Sequence, residues 1–317
     1  MIGYIGSYAS KDSTSVIRFT FDEQTEAFTE IKNILPWKDS KYLSVLGNDF
    51  VSILKKDKAG IGLWHMDCKE SEEVLDEEIT SCYVTQDQDY IYTANYHEGT
   101  LSIYAKKEHL HLQKRILIKK HAGCHQVILY KQYLLVPCLL LDKIMIFDHL
   151  HDDQLVKEID FPKGSGPRHG VMDTNNHLYL VSELSNQLFI FHLDEELHME
   201  LLKTIDLVPE KEKAAAAAIR MSKDERFLYI SIRDINQILV FDIKQGAVIQ
   251  RMEARGDHPR DIALSPDDAY LFIANRFTNT LVVCKRDKES GLLTLCLNEM
   301  KAVEAVSIVF EEQEATV

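Results

Sequence analysis

No stretch of the 317-residue chain approaches the roughly 20 consecutive apolar residues of a membrane span, so no transmembrane helix is expected. The opening MIGYIGSYAS lacks the basic start, apolar core and small-residue cleavage site of an export signal, and a cytoplasmic protein is expected. Positive charge is in deficit: 36 Lys and Arg stand against 50 Asp and Glu, a formal net charge of −14. Such a field repels phosphate backbones and anionic lipid, which excludes nucleic acid and membrane surfaces as expected partners. The six cysteines are scattered, several inside apolar runs, and read as reduced core residues rather than a disulfide framework. There is no G-x-S-x-G elbow, P-loop or dinucleotide fingerprint, so serine hydrolases, nucleotide enzymes and dehydrogenases lose their usual support. His109 with His111, and His149 with His151, lack convincing further ligands and read as solvated side chains. Neither a metal nor an organic cofactor is expected.

What the chain does have is a repeat. The runs IGYIGS, FVSILK, YIYTAN, YLLVPC, LYLVSE, FLYISI and LFIANR recur at steps of 47, 41, 43, 44, 50 and 43 residues, counted from Tyr4 to Phe272. A second series, ending at Phe19, Trp64, Tyr104, Phe147, Phe191, Phe241 and Cys284, keeps nearly the same spacing. A third precedes the first: YLSVL, CYVTQ, QVILY, GVMDT, AIRMS, DIALS and, near the C-terminus, AVSIV. Weaker outer runs follow the second series in AFTEI, LQKRI and LTLCL. Short β-branched and aromatic runs at a fixed period of about 45 residues predict an all-β fold, a seven-bladed β-propeller with four-stranded antiparallel blades, formed by residues 1–317 as one domain. IGYIGS is a second-position strand and AVSIV a first-position one, so one blade is shared between the two ends of the chain and closes the ring. The alanine-rich segment Pro209 to Arg220 has the composition of a helix start and is expected to form a loop or one helical turn before the strand AIRMS.

In a propeller the inner strands line a central channel, so side chains near their ends converge from different blades. His125, just before an inner run, falls at the channel mouth or packs as a core histidine. In GSGPRHG the glycines and proline shape a turn that presents Arg168 and His169 at the next inner strand. Glu183, Arg233 and Arg276 occupy equivalent strand-end positions in consecutive repeats. They are either a structural ion-pair set or a site in which arginine binds an anion and the carboxylate handles protons. Arg260 repeats the Pro-Arg of GSGPRH, though the adjacent Asp261 offers it local pairing. Asn95 is either a hydrogen-bond donor to the channel or a turn former.

The segments AGCHQV, GSGPRHGV followed by LYLVSELSNQLFIF, AAAIRMSKDERFLYISIRDINQILVF and HPRDIALSPDDAYLFIANRFTNTLVV resemble the lactonase family of seven-bladed propellers. The resemblance is clear from about Asn95 to Arg286. It implies hydrolysis of a small anionic sugar lactone, with 6-phosphogluconolactone as the first substrate to test. It also places the family's proposed site on His125, Arg168, Glu183 and Arg233. His169, Arg260, Arg276 and Asn95 are then available to bind substrate phosphate or carboxylate. A cycloisomerase acting on a muconate-like diacid, or a propeller that only binds partners, would use the same scaffold. The usual Ser-Asn-Arg reads Ser231-Ile232-Arg233 here, and Met172-Asp173 replaces a His-Pro.

Overall fold

The near-continuous burial of the short runs, as in Tyr90–Asn95 and Phe227–Arg233, decides the architecture: each run pairs with the next and both faces of the resulting sheet pack against neighbours. A computed structural model describes residues 1–8, 10, 16–209 and 213–311, with the backbone alone for residues 296 and 297. It contains seven four-stranded antiparallel sheets, each an up-and-down meander and together a ring of blades. Blade 1 pairs Ala305–Phe310 as inner strand with Ile2–Ser7, followed by Val16–Asp22 and Ala27–Leu35. The two ends of the chain therefore share one sheet, in the register Tyr4 opposite Val309 and Ile5 opposite Ile308. The inner strands of blades 2 to 7 are Leu43–Leu46, Tyr83–Gln86, Ile128–Tyr130, Pro167–Met172, Ala215–Met221 and Pro259–Leu264.

Seven apolar clusters fill the seven interfaces between blades. Blades 1 and 7 meet through Phe19, Phe21 and Phe272, and blades 5 and 6 through Val181, Leu188, Ile230 and Phe241. Each blade thus buries both faces, and no blade lacks a neighbour. Among the described residues no helix is long and apolar enough to cross a membrane.

The alanine-rich segment differs from expectation. Its described part is an inner strand from Ala215, with Ala216, Ala217 and Ala218 fully buried; residues 210–212 lie outside the described residues. Small side chains are needed there because this stretch packs beside the channel, and that need overrides helix propensity. Cys124, Cys138 and Cys284 are buried as read from the sequence, but Cys68 is exposed.

Candidate active site

Each inner strand begins, and each second strand ends, at the same end of the ring. In blades 5, 6, 7 and 1 the inner strand carries one extra residue near its start: the register shifts between Pro167 and His169, Ala216 and Ile219, Pro259 and Asp261, and Ala305 and Ser307. A bulge re-aims the side chain it frees. Arg168, Arg260 and Val306 occupy these positions, and all three line one pocket at the mouth with His125 and His169. This is the structural basis of the repeated Pro-Arg. The GSG turn before Arg168 is tied to blade 4: Gly164 N donates to Asp142 Oδ2 (2.7 Å) and Gly166 N to Asp142 Oδ1 (2.8 Å). Gly166 sits at φ 65°, and a Cβ there would come within 2.7 Å of Leu184, so only glycine fits.

Five expected residues form one unbroken chain of contacts. Arg168 Nε donates to Glu183 Oε2 (2.8 Å), and Arg233 Nη2 lies 2.7 Å from the same oxygen. Arg168 Nη1 reaches His169 Nδ1 (3.2 Å) and the Ala217 carbonyl, and His169 Nε2 stands 3.1 Å from His125 Nδ1. Guanidinium groups only donate, so His169 Nδ1 accepts; its proton is then on Nε2 and is donated to His125 Nδ1. That leaves His125 with its N–H on Nε2. Burial, with Arg168 next, pushes both imidazoles well below their ordinary range, so both are neutral at pH 7. Burial alone would raise the Glu183 carboxyl, but Arg168, Arg233 and Arg260 outweigh it and hold the group below the usual carboxylate range. Burial, reinforced by Arg233, pushes Arg168 down to about 10, and it stays charged at neutral pH.

Arg260 does not pair with Asp261. Asp261 instead accepts from Arg220 Nη2 (2.7 Å) and from Ile308 N (3.0 Å), while Arg260 lies over the Tyr8 ring, 5.5 Å from its centroid. Arg276 lies over the same ring at 4.2 Å, with Glu304 at 3.8 Å. Asn95 is not brought into the mouth. It is fully buried, donates to the Ile79 carbonyl (2.7 Å) in the connection from blade 2 and accepts from Glu98 N (3.0 Å) in the turn that follows it, so both ends of its amide are used within the fold. His169 lines the mouth pocket and spends both ring nitrogens inside the chain of contacts, Nδ1 on Arg168 and Nε2 on His125. Of the histidine pairs, His109, His111 and His151 are exposed as read from the sequence, whereas His149 is largely enclosed, bonded to Asp153 (2.5 Å) and packed on Tyr90 and Tyr92. Among the described residues no three His, Cys, Asp or Glu side chains are grouped to hold a metal.

Below the mouth the ring is closed by Tyr42, Tyr83, Arg220 and Asp261. The Tyr42 and Tyr83 rings pack at 4.4 Å, tilted by 38°, and meet His169 edge to face at 6.2 and 5.6 Å. A cavity of about 730 Å³ opens on the far side and shares only Tyr42 with the mouth pocket. Its charged wall residues are already engaged: Arg220 donates to Asp261, Lys223 Nζ to the Pro266 carbonyl, Asp268 accepts from Lys223 N and Glu311 from the Tyr4 hydroxyl.

Sequence reasoning missed Lys41, Tyr8, Tyr42 and Cys82, which also line the mouth pocket. A signal existed. The residues immediately before the seven third-series runs are Lys41, Ser81, His125, His169, Ala217, Arg260 and Glu304, a column rich in charge and imidazole.

The sequence profile described as Lactonase, 7-bladed beta-propeller matches residues 2–310. The 6-phosphogluconolactonase of Bacillus subtilis strain 168 is 26% identical over 346 aligned residues, covering 98% of this chain and 99% of that protein. A solved protein from Lactobacillus plantarum superposes with a TM-score of 0.90 at 27% identity, covering 98% of this chain and 99% of that one. The Pseudomonas aeruginosa periplasmic gluconolactonase superposes at 0.86 with 21% identity, over 97% and 98% of the two chains, a likeness of fold alone. With a profile match spanning all seven blades, the chain belongs to the lactonase family of seven-bladed β-propellers.

Proposed function

We propose that the protein hydrolyses a sugar-acid lactone, with 6-phosphogluconolactone as substrate and 6-phosphogluconate as product. The observation that carries this is the ionised Glu183 held between Arg168 and Arg233, with His125 linked to the same cluster through His169. Both close contacts to Glu183 fall on Oε2, which leaves Oε1 to accept from a water. The water oxygen attacks the lactone carbonyl carbon as its proton passes to Glu183. The oxyanion is met by the N–H of His125 and by Arg168, donors already fixed in a dry setting. As the ring C–O bond breaks, Glu183 returns its proton to the departing alkoxide and the hydroxy acid is released. Neutral His125, protonated on Nε2, is a donor in this scheme and Glu183 is the base. Arg260 and Arg276 take the substrate's own negative charge, and the chemistry calls on no cofactor.

The Bacillus relative supports hydrolysis over cycloisomerisation of a muconate-like diacid. The buried thiols of Cys124 and Cys138, 3.8 Å apart and unlinked, fit a reducing cytoplasmic setting. The test is turnover of 6-phosphogluconolactone and unphosphorylated sugar lactones by wild type and Glu183→Gln. We expect acceleration above the spontaneous rate, reduced about 10²- to 10⁴-fold in kcat by the substitution. Wild-type protein that leaves every spontaneous rate unchanged sinks the proposal, as does a Gln variant of full activity.

A further inference from the structure

Cations outnumber carboxylates at the mouth. Arg168 and Arg233 share Glu183. Arg276 has Glu304 only at 3.8 Å, and its Nε is buried without a hydrogen-bond acceptor among the described residues. Arg260 forms no ion pair among the described residues, because Asp261 is engaged by Arg220. A fifth cation comes from blade 2, across blade 1 from Arg260 and Arg276. Lys41, in the segment leading into the inner strand of blade 2, is largely buried, donates from Nζ to Thr80 Oγ1 and has Asp39 at 3.8 Å. Thr80 itself donates to Asp39 (2.7 Å), so the carboxylate is shared. An ammonium group has three protons, and these contacts leave one available. Lys41 Nζ stands 5.7 Å from the Tyr8 ring centroid, so one aromatic ring is surrounded by Lys41, Arg260 and Arg276. A ring quadrupole attracts cations without neutralising them, and Tyr8 thus gathers three positive groups that stay available to a ligand. Burying cations with so little carboxylate around them carries a desolvation cost that a bound anion would offset.

The geometry points to Lys41, Arg260 and Arg276, gathered by Tyr8, as a subsite for a phosphate dianion, with Lys41 the residue that selects phosphorylated lactones over unphosphorylated ones. This rests on the lactonase reading and extends it to substrate choice. A doubly charged oxyanion group accepts from an ammonium and two guanidinium groups at once, whereas the hydroxyl of an unphosphorylated sugar would leave them uncompensated. The depression of the buried His258 imidazole, by burial first and then by Arg233, Arg260 and Arg276, shows how strongly these charges act on what lies among them.

The experiment compares wild type, Lys41→Met and Lys41→Gln in two assays. In the first, kcat/KM is measured for 6-phosphogluconolactone and for gluconolactone; the ratio between them should fall roughly 10- to 100-fold in the variants. In the second, calorimetry gives Kd for 6-phosphogluconate and gluconate, and the preference for the phosphorylated acid should fall by a similar factor. A ratio that stays constant in both assays overturns the subsite while leaving the hydrolase reading intact. If wild type hydrolyses no lactone, the hydrolase reading fails and the binding preference alone judges the subsite. Should one variant misfold by its melting profile, the other carries the comparison.

Discussion

His258 shows what the mouth does to a single side chain. Its ring lies against Phe277 at 4.3 Å, its Nδ1 is buried without a hydrogen-bond partner among the described residues, and its backbone sits at φ 63°. Burial, then Arg233, Arg260 and Arg276, pushes the imidazole down to about 3. As pH falls through 6.5 the unfolded chain takes up a proton on this residue that the folded protein refuses, so stability is lost from pH 6.5 downward, by about 1.4 kcal/mol per pH unit. His258→Asn, which tolerates the left-handed backbone, removes that term. Between pH 6.5 and 4.5 urea unfolding should show the wild type losing up to about 2 kcal/mol more than the variant. His125 and His169 shift in the same direction, but they are common to both proteins and cancel in the difference. At this scale the sequence was legible in part. Glu183, Arg233 and Arg276 stood out because strand ends repeat, and Arg168 because the glycines and proline before it shape a turn. Arg260 was ambiguous because adjacency to Asp261 says nothing about which way each side chain faces on a bulged strand, and here they part. Asn95 misled because a buried turn and a channel donor look identical in one dimension.

Strand order and blade count were readable because three strand series keep one period of about 45 residues. The bulges were not, since an extra residue leaves no mark in an apolar run, and yet they decide that Arg168 and Arg260 face the mouth. Nor could the sequence tell that Asp142, itself in the left-handed conformation, would reach across to hold the GSG turn of the next blade. That link is testable. Asp142→Ala removes two short acceptors from backbone N–H groups and should cost about 1–3 kcal/mol in denaturant unfolding. It should also lower kcat/KM on the proposed lactone, by up to about 10²-fold, because Arg168 and Glu183 both flank the released turn. A variant destabilised to this extent but fully active would mean that the turn supports the fold without aligning the cluster.

Ring closure was legible from the strand series at the two ends of the chain, and the register of Tyr4 with Val309 and Ile5 with Ile308 bears it out. The Phe19, Phe272 and Phe310 rings seal the same seam. Truncation after Glu299 removes the inner strand Ala305–Phe310 with buried Val306 and Ile308, each contributing about 1.5–3 kcal/mol by burial, and bares the hydrogen-bonding edge of Ile2–Ser7. Calorimetry should find the truncated chain unfolding at least 10 °C lower, or in a broad uncooperative transition, by about the scaling of such losses with size. A truncated chain that melts like the whole one would show that the ring stands without its clasp. The closure of the ring's centre matters as much as that of its rim. With Tyr42, Tyr83 and the Arg220–Asp261 pair sealing the axis, the propeller is a cup and not a pipe. On the proposed reaction, product must therefore leave through the doorway by which substrate arrives, carrying one more negative charge past the same cations. The affinity that draws substrate in becomes a brake on product escape.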